Sequence, residues 1–442
     1  MRDLFVAAVV FGALPFILKR PFLGILLMAG LGYLNPHRLC YGFMLSTPVV
    51  MIVALVTLVG MLVSREAKRM VWSREVAILV IFILWMGITT TQALYFDLAI
   101  IQYEKVIKIQ ILTFMTLLLL TSRERVHLLI WAIVLSLGFY GVKGGLFTIA
   151  HGGVYRVQGP PGTFIEGNNE LALALVVTIP LIRYLHLTEK NKLIRLGLAA
   201  AMFLTAVAAI GSQSRGALVA LLLTGGIFWL KSRNKIVSAA FVAVVAVVVL
   251  NLMPPEWFER MNTIETYGED ASAQGRINAW WTAYHLANAR LFGGGFETWQ
   301  AGAFALYAPD PTNVRDVHSI YFEVLGEHGW VGLALFLSLL GFTWLKCGSI
   351  IRMARKRPDD TWARDLAAMI QVSLIGYASA GAFLGLAYFD YFYHLVAVVV
   401  VVHAIIKRQH APATQLKRKA EELPAPSIPL TLGSALAGLR AG

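Results

Sequence analysis

The sequence has few charged residues for its length. Asp, Glu, Lys and Arg make up 14% of the 442 residues, whereas 58% of the side chains are apolar. In an ordinary soluble domain about a quarter of the residues are charged. This composition excludes a soluble globular protein and predicts a polytopic membrane protein.

The motifs of several enzyme classes are also missing. H-E-x-x-H and the phosphate loop G-x-x-x-x-G-K-[ST] do not occur, and no segment predicted to face the outer side has D-x-D. The two cysteines, Cys40 and Cys347, fall in connectors predicted on opposite sides of the membrane, which excludes a disulfide framework. We therefore expect no metal and no cofactor, and an ATPase or a metal-dependent nucleotide-sugar enzyme is disfavoured.

Apolar runs recur along the chain between short charged connectors. A helix needs about 17–25 apolar residues to cross a bilayer, and the strands of a membrane barrel would be shorter and strictly alternating. The sequence predicts an all-α polytopic integral membrane protein with about 12 (12–13) transmembrane helices. The count is 13 with the N-terminus outside if both short opening segments cross, and 12 with it inside if they form a re-entrant pair or one broken span. The candidate spans are residues 3–18, 21–34, 45–63, 76–95, 105–121, 126–150, 168–187, 193–214, 216–231, 235–253, 319–345, 365–385 and 388–406.

The net charge of +13 follows the predicted topology. Of the 38 Lys and Arg residues, 27 lie in alternate connectors, which the positive-inside rule places in the cytoplasm. This distribution argues against a nucleic-acid partner. Residues 1–406 are predicted to form the membrane domain, and residues 407–442 a flexible cytoplasmic tail.

One connector, residues 254–317, is much longer than the others and is predicted to face the outer side. Long connectors with patterned content usually carry function. Within it, "GRINAWWTAYHLANARLFGGG" predicts an amphipathic helix that ends at "FGGG". We expect this helix to lie at the membrane interface, with an apolar aromatic side formed by Ile277, Trp280, Trp281, Tyr284 and Leu286.

Three arginines on the predicted outer side are candidates for holding a phosphate group. Arg215 occupies the tight turn of "GSQSRGALV", Arg276 is predicted to begin the amphipathic helix, and Arg156 lies in the Gly- and Pro-rich loop "HGGVYRVQGPPG". A guanidinium offers rigid, bidentate donors to phosphate. The alternative is that Arg215 snorkels to the lipid headgroups and that Arg276 anchors its helix to lipid phosphates.

His318 stands in "VHSIYFEVLGEHG", where the long connector gives way to a membrane segment. A lone histidine is more often structural than catalytic. An imidazole near several arginines is favoured in its neutral form, which can accept a proton from a hydroxyl. His318 is therefore a candidate base, whereas Glu327 is expected to support packing.

Taken in order, "SRG" at an outer turn, a long loop with "GR...W" and "G.G", and "HSIYFEVLGEHGWVGL" resemble the bacterial O-antigen ligase and polymerase superfamily over residues 150–400. The opening "KRPFLGILLMAGLGYLNPHRL" is similar to O-glycosylation ligases linked to exosortase systems. The resemblance implies an inner-membrane glycosyltransferase that works on the periplasmic side without metal. The implied donor is a glycan on undecaprenyl diphosphate, and the implied acceptor is a hydroxyl, in ligases that of lipid A-core oligosaccharide.

The resemblance also assigns roles to residues. His318 matches the family's loop histidine, which assists the acceptor, while Arg215 and Arg276 match the arginines that hold the diphosphate. Arg156 is a weaker match, and Ser319 stands where the family often has Asn, so we expect the supporting hydrogen bond to differ. Implied partners are the lipid-linked donor, the acceptor and membrane lipids. A polymerase, a protein O-oligosaccharyltransferase and, from another class, a transporter of lipid-linked glycan remain alternatives.

Overall fold

The computed structural model describes residues 1–231, 234–262, 271–355 and 357–410, and every regular element in these ranges is helical. An all-α fold is therefore confirmed. In chain order the α-helices are α1 (Arg2–Lys19), α2 (Phe22–Tyr33), α3 (Val49–Val63), α4 (Arg74–Thr91), α5 (Phe96–Leu119), α6 (Arg123–Ala150), α7 (Asn168–Thr188), α8 (Lys192–Gly211), α9 (Arg215–Lys231), α10 (Lys235–Leu252), α11 (Pro255–Asn262), α12 (Ala271–Ala289), α13 (Ala301–Tyr307), α14 (Ile320–Ala354), α15 (Thr361–Gly381) and α16 (Asp390–Gln409).

Each predicted span overlaps one of these helices, and the long connector contributes α11, α12 and α13. By length and composition, six helices of the described chain could cross a membrane, namely α4, α6, α7, α8, α14 and α16. Shorter apolar helices are α2, α3 and the part Lys235–Val248 of α10. The count of 12 or 13 spans stays a prediction. Residues 411–442, most of the predicted tail, lie outside the described residues.

Helix α14 is longer than the predicted span. It continues to Ala354, so Lys346 and Cys347 lie inside a helix and not in a connector. Lys346 forms an ion pair with the buried carboxylate of Glu75 on α4. A charge inside an apolar helix is tolerated when it is paired in this way, and a connector boundary placed at the first charged residue therefore falls too early.

Helices α7 and α16 form the centre of the bundle. Residues 171–182 of α7 and 391–402 of α16 are all buried, because both helices are apolar on every side and are surrounded by others. Polar contacts join them to their neighbours: Thr178 Oγ1 lies 3.1 Å from Tyr391 Oη, and Ser373 on α15 donates to the carbonyl of Val177 at 2.7 Å. Such interhelical hydrogen bonds fix the register between helices in lipid.

Helices α6 and α8 pack unusually closely. A Cβ atom at Gly145 would lie 2.3 Å from the backbone oxygen of Leu204, and one at Gly141 would lie 2.2 Å from Thr205 Oγ1. Glycine at this face of α6 lets the two backbones approach, as small residues do between membrane helices. This contact positions the C-terminal end of α8, where the turn with Arg215 begins.

Helix α14 is interrupted at Gly329, whose φ of 66° and ψ of −171° lie outside the helical region. Only glycine adopts this conformation readily. The interruption releases backbone carbonyls of the preceding turn, and three donors satisfy them: Gly294 N–H and Gly295 N–H bind the carbonyls of Gly326 and Glu327, and Trp85 Nε1 binds that of His328. The "FGGG" segment therefore fixes the direction of residues 320–328 relative to the rest of α14.

Candidate functional site

Arg215 begins α9 directly after a tight turn from α8. Two residues before it, Gln213 has φ of 57°, a left-handed conformation that is uncommon for a residue with a side chain. Ser214 is buried and Arg215 half-buried, so the guanidinium group leaves a well-packed turn at one end of the bundle. The predicted turn is confirmed, and Arg215 forms the first residue of a helix.

The loop with Arg156 is tied to this same turn. Gln213 Nε2 donates to the carbonyls of Gly153 and Val154 at 3.0 and 3.1 Å, and Arg156 Nε donates to Gln213 Oε1 at 3.3 Å. Asn168, at the start of α7, donates to the carbonyl of Ser212 at 2.8 Å. Gln213 thus brings Arg156 to within two residues of Arg215, a role that the sequence analysis did not assign to it.

The first residues of the long connector cover the turn that precedes Arg215. Trp257 of α11 is buried and its Nε1 donates to the carbonyl of Ile210 at 3.4 Å. A Cβ atom at Gly153 would lie 2.5 Å from Met253 Sδ, so the end of α10 also packs against the Arg156 loop. The start of the connector and the Arg215 turn are therefore one packed unit.

Helix α12 carries Arg276, but the helix begins earlier than predicted. It starts at Ala271, so Arg276 lies in the second turn and is half-buried. The prediction that Arg276 opens the helix is wrong, because residues 271–275 extend it, and the free N–H groups of the helix start do not surround this guanidinium.

The predicted aromatic side of α12 is divided between two faces. Ala279, Ala283 and Leu286 are fully buried, and Gly326 of α14 packs against Ala283, whereas Trp281 and Tyr284 are 49% and 39% exposed. The face that packs on α14 therefore consists of small residues and Leu286. That α12 lies at the membrane interface stays a prediction, with which the exposed aromatic side chains are consistent.

Helix α12 is held to the segment that leads to His318. Asn278 exchanges hydrogen bonds with the backbone of Asp310, and Trp280 Nε1 donates to the carbonyl of Val317 at 2.9 Å. The Trp280 ring stacks on Phe322 with centroids 5.1 Å apart. Arg276 lies one helical turn before Trp280 on the same side of α12, and His318 directly follows Val317. The structure thus brings Arg276 and His318 to the same part of the connector.

This segment is an ordered turn rather than a loose linker. Asp310 Oδ1 accepts hydrogen bonds from the backbone N–H and the hydroxyl of Thr312 at 3.0 and 2.7 Å. These bonds stabilise the carboxylate and hold the pKa of Asp310 below its usual value. The path from α13 to His318 is therefore defined by side-chain contacts at both of its ends.

His318 is partly exposed and has a left-handed backbone conformation. Its φ is 42°, its side chain is 35% exposed, and its Nδ1 lies 3.7 Å from Oδ2 of Asp316. That separation is an ion-pair distance and too long for a hydrogen bond. The Asp316 carboxylate therefore lies beside the Nδ1 side of the ring, away from Nε2. Asp316 was not among the residues predicted from the sequence, although it stands only two residues before His318.

Ser319 follows His318 at the N-cap of α14. Its carbonyl accepts the N–H of Glu323 at 2.7 Å, and its buried hydroxyl has no hydrogen-bond partner among the described residues. An asparagine here would present both a donor and an acceptor. That the supporting hydrogen bond differs from the family's stays a prediction.

The end of α15 and the segment that follows it, residues 378–389, pack against both halves of the site. A Cβ atom at Gly216 would lie 3.0 Å from Phe383 Cβ, and one at Gly381 would lie 2.5 Å from Ile320 Cδ1. The Tyr321 hydroxyl donates to the carbonyl of Ala378 at 2.7 Å. Gly216, next to Arg215, and Ile320, two residues after His318, thus contact the same short stretch of chain at one end of the bundle.

Two carboxylates of α14 anchor this segment. Glu323 Oε2 accepts the N–H of Ala387 at 3.0 Å, while Glu327 accepts the hydroxyl of Tyr388 at 2.6 Å and the N–H of Glu297 at 3.0 Å. Glu327 is buried. These contacts agree with the expectation that Glu327 supports packing. They hold the segment between α15 and α16 against α14. Tyr388 and Ala387 carried no signal in the sequence, because their partners are more than sixty residues away.

The site therefore combines cations and a histidine from segments far apart in sequence. Arg156 contacts the turn that precedes Arg215, Arg276 lies in the connector, and His318 directly follows the connector. Residues 378–389 pack against the chain next to Arg215 and just after His318. Arg315, three residues before His318, adds a further guanidinium, which packs against Gly275 of α12. Such an arrangement can bind a phosphorylated group and place an imidazole near it.

Comparison with protein families assigns the part of the chain that contains most of these residues. Residues 200–337 match the family described as O-Antigen ligase. This match assigns residues 200–337 to the O-antigen ligase superfamily. The matched region contains Arg215, Arg276 and His318, and the resemblance to the O-antigen ligase superfamily is confirmed over residues 200–337. The likeness of the opening segment to O-glycosylation ligases linked to exosortase systems stays a prediction.

Residues 1–190 match a second family, described as a family of unknown function (DUF5935). This second region contains Arg156. No curated protein matched the chain. The O-antigen ligase domain supports a glycan-transfer role of the ligase or polymerase type, and together with the apolar helices it indicates a membrane protein.

Proposed function

We propose that the chain is an O-antigen ligase that transfers a preassembled glycan from undecaprenyl diphosphate to a hydroxyl of lipid A-core oligosaccharide. The reaction takes place on the periplasmic side of the bacterial inner membrane. The observation that carries the proposal is the convergence of Arg215, Arg276 and His318 at one end of the bundle, inside a region that matches the O-antigen ligase family.

In the proposed reaction the acceptor hydroxyl attacks the anomeric carbon of the glycan in one displacement. The new bond joins the acceptor oxygen to this carbon, the bond to the diphosphate oxygen breaks, and the diphosphate leaves with the electron pair. The proton of the hydroxyl passes to Nε2 of His318, with Asp316 on the other ring nitrogen. Attack from the opposite side inverts the anomeric configuration.

The arginines act on the leaving group. Negative charge grows on the diphosphate as the glycosidic bond breaks, so fixed guanidinium groups stabilise the transition state more than the ground state. Arg215 and Arg276 are the proposed diphosphate contacts, and Arg156 reaches the same region through Gln213. These cations supply the charge stabilisation, so that the proposed reaction needs neither metal nor cofactor.

The experiment reconstitutes the purified full-length chain in liposomes with undecaprenyl diphosphate-linked glycan and offers three acceptors separately: lipid A-core, a second lipid-linked glycan, and a protein with exposed Ser and Tyr. We expect transfer to lipid A-core, and about a hundredfold slower transfer with Arg215→Lys, which keeps the charge but loses bidentate binding.

Other outcomes contradict the proposal in distinguishable ways. Transfer only to a second lipid-linked glycan would make the protein a polymerase, and transfer only to protein would make it an O-oligosaccharyltransferase. Liposomes that move the lipid-linked glycan across the bilayer without transfer to any acceptor would make it a transporter.

A further inference from the structure

A second basic site lies at the opposite end of the bundle from His318. Helices α7, α9 and α14 end there and α15 begins there. Together they line a cavity of about 410 Å³. This volume is in the range of small-molecule sites in proteins. Four helices meet around the cavity, so its shape is set by the bundle and not by a single loop.

Cations dominate the wall of the cavity. Arg183 comes from α7, Lys231 from α9, Arg364 from α15, and Arg355 directly follows α14. In the described part of the chain the only carboxylate in the wall is Asp365, which forms an ion pair with Arg364 at 3.1 Å. The wall therefore has an excess of positive charge that an anion can neutralise.

The contacts of these cations within the protein leave that charge in place. Arg183 Nη1 lies 3.0 Å from His186 Nδ1, and Lys231 Nζ donates to the amide oxygen of Gln371 at 2.5 Å. Neither of these hydrogen-bond partners is a carboxylate, and the nearby Asp365, which acts on both Arg183 and Arg364, supplies one negative charge against four cations. The amide and imidazole orient the cations without cancelling their charge, which is what a binding site for a phosphate requires.

The rest of the wall is apolar and open to the side of the bundle. It includes Leu187, Phe228, Leu230, Ile351 and Met369. Leu187 and Leu230 are 42% and 61% exposed. A free phosphate ion cannot bury such an apolar surface, whereas a lipid that carries a phosphate can cover it with its acyl chains.

We propose that this cavity binds an anionic phospholipid, with its headgroup phosphate on Arg183, Lys231 and Arg355 and its acyl chains against Leu187 and Leu230. Basic pockets between membrane helices commonly bind anionic headgroups. The site is separate from the glycan-transfer site and does not depend on the proposed function.

The test titrates the purified full-length chain in neutral detergent with phosphatidylglycerol and counts bound lipids by native mass spectrometry. Phosphatidylcholine and inorganic phosphate are titrated in parallel. We expect phosphatidylglycerol to bind preferentially, and the double variant Arg183→Gln/Arg355→Gln to bind it about 25-fold more weakly, at about fivefold for each cation removed. The charge-keeping variant Arg183→Lys/Arg355→Lys should retain most of the binding.

Arg352→Gln is the matched control, because Arg352 is an exposed cation on the last turn of α14 that does not line the cavity. It should bind phosphatidylglycerol as the unchanged chain does. Equal binding by the double glutamine variant, or equal binding of phosphatidylglycerol and phosphatidylcholine, would overturn the proposal. Binding of inorganic phosphate without preference for the anionic lipid would assign the cations to a free phosphate and would also overturn it.

Discussion

His318 can be tested for a chemical role and for backbone strain with the same set of variants. A residue with a side chain costs about 1–2 kcal/mol in the left-handed region, and His318 has φ of 42°. Glycine adopts this conformation without penalty and asparagine tolerates it, whereas alanine does neither. The side chain is 35% exposed and its contact with Asp316 is 3.7 Å, so that exposed pair contributes at most about 1 kcal/mol.

We expect the three variants to differ from one another in stability and to be alike in their loss of activity. His318→Gly should unfold in detergent at a temperature equal to or above that of the unchanged chain, His318→Asn close to it, and His318→Ala at the lowest of the three. All three should transfer glycan about 10²–10⁴-fold more slowly, which is the usual contribution of a general base. Transfer is measured in liposomes by the appearance of glycosylated lipid A-core under single-turnover conditions.

Two results would refute this reasoning separately. Transfer by His318→Asn within threefold of the unchanged chain would remove the base, whatever its stability. A lower unfolding temperature for His318→Gly than for His318→Ala would mean that the left-handed backbone conformation does not limit local stability. His285→Ala is a control, because His285 is an exposed histidine of the same connector and its ring contacts the carbonyl of Tyr307; it should keep its transfer rate.

Three further predictions follow from contacts in the bundle. Gln213→Asn keeps a side chain that tolerates φ of 57° but is too short to hold the Arg156 loop. The KM for the lipid-linked donor should therefore rise severalfold in steady-state assays, and an unchanged KM would contradict the link between Gln213 and donor binding. Gly145→Ala should lower the free energy of unfolding by about 1–3 kcal/mol, because its Cβ would overlap the backbone of α8, whereas Gly138→Ala, which meets nothing within 4 Å, should be neutral or stabilising in the same unfolding assay. Glu327→Ala should lower the free energy of unfolding by about 2–5 kcal/mol, because the Tyr388 hydroxyl and the Glu297 N–H lose their buried acceptor. A thermal unfolding curve that matches that of the unchanged chain would refute this.

Local patterns in the sequence were enough to predict the helices. Every predicted span overlaps a helix, because an apolar run of this length has few other conformations available in lipid. The same reasoning identified the long connector, the turn with Arg215 and the start of α14 after His318. It failed at boundaries: Lys346 was placed in a connector because its partner, Glu75, is far away in the chain.

The candidate site could be predicted in its residue types and not in its arrangement. Arg156, Arg215, Arg276 and His318 were recognisable because charged or titratable residues near the membrane are rare and require a reason. Nothing in the sequence indicated that Gln213 joins two of them.

The sequence by itself determined the all-α membrane fold and the candidate residues, since both depend on hydrophobicity and charge along a local stretch of chain. Only the tertiary structure decided which turn holds Arg156, which segment packs against the chain next to Arg215 and just after His318, and which face of α12 is buried. These depend on hydrogen bonds and close contacts between residues far apart in sequence, such as that of Glu327 with Tyr388, and no local pattern records such contacts.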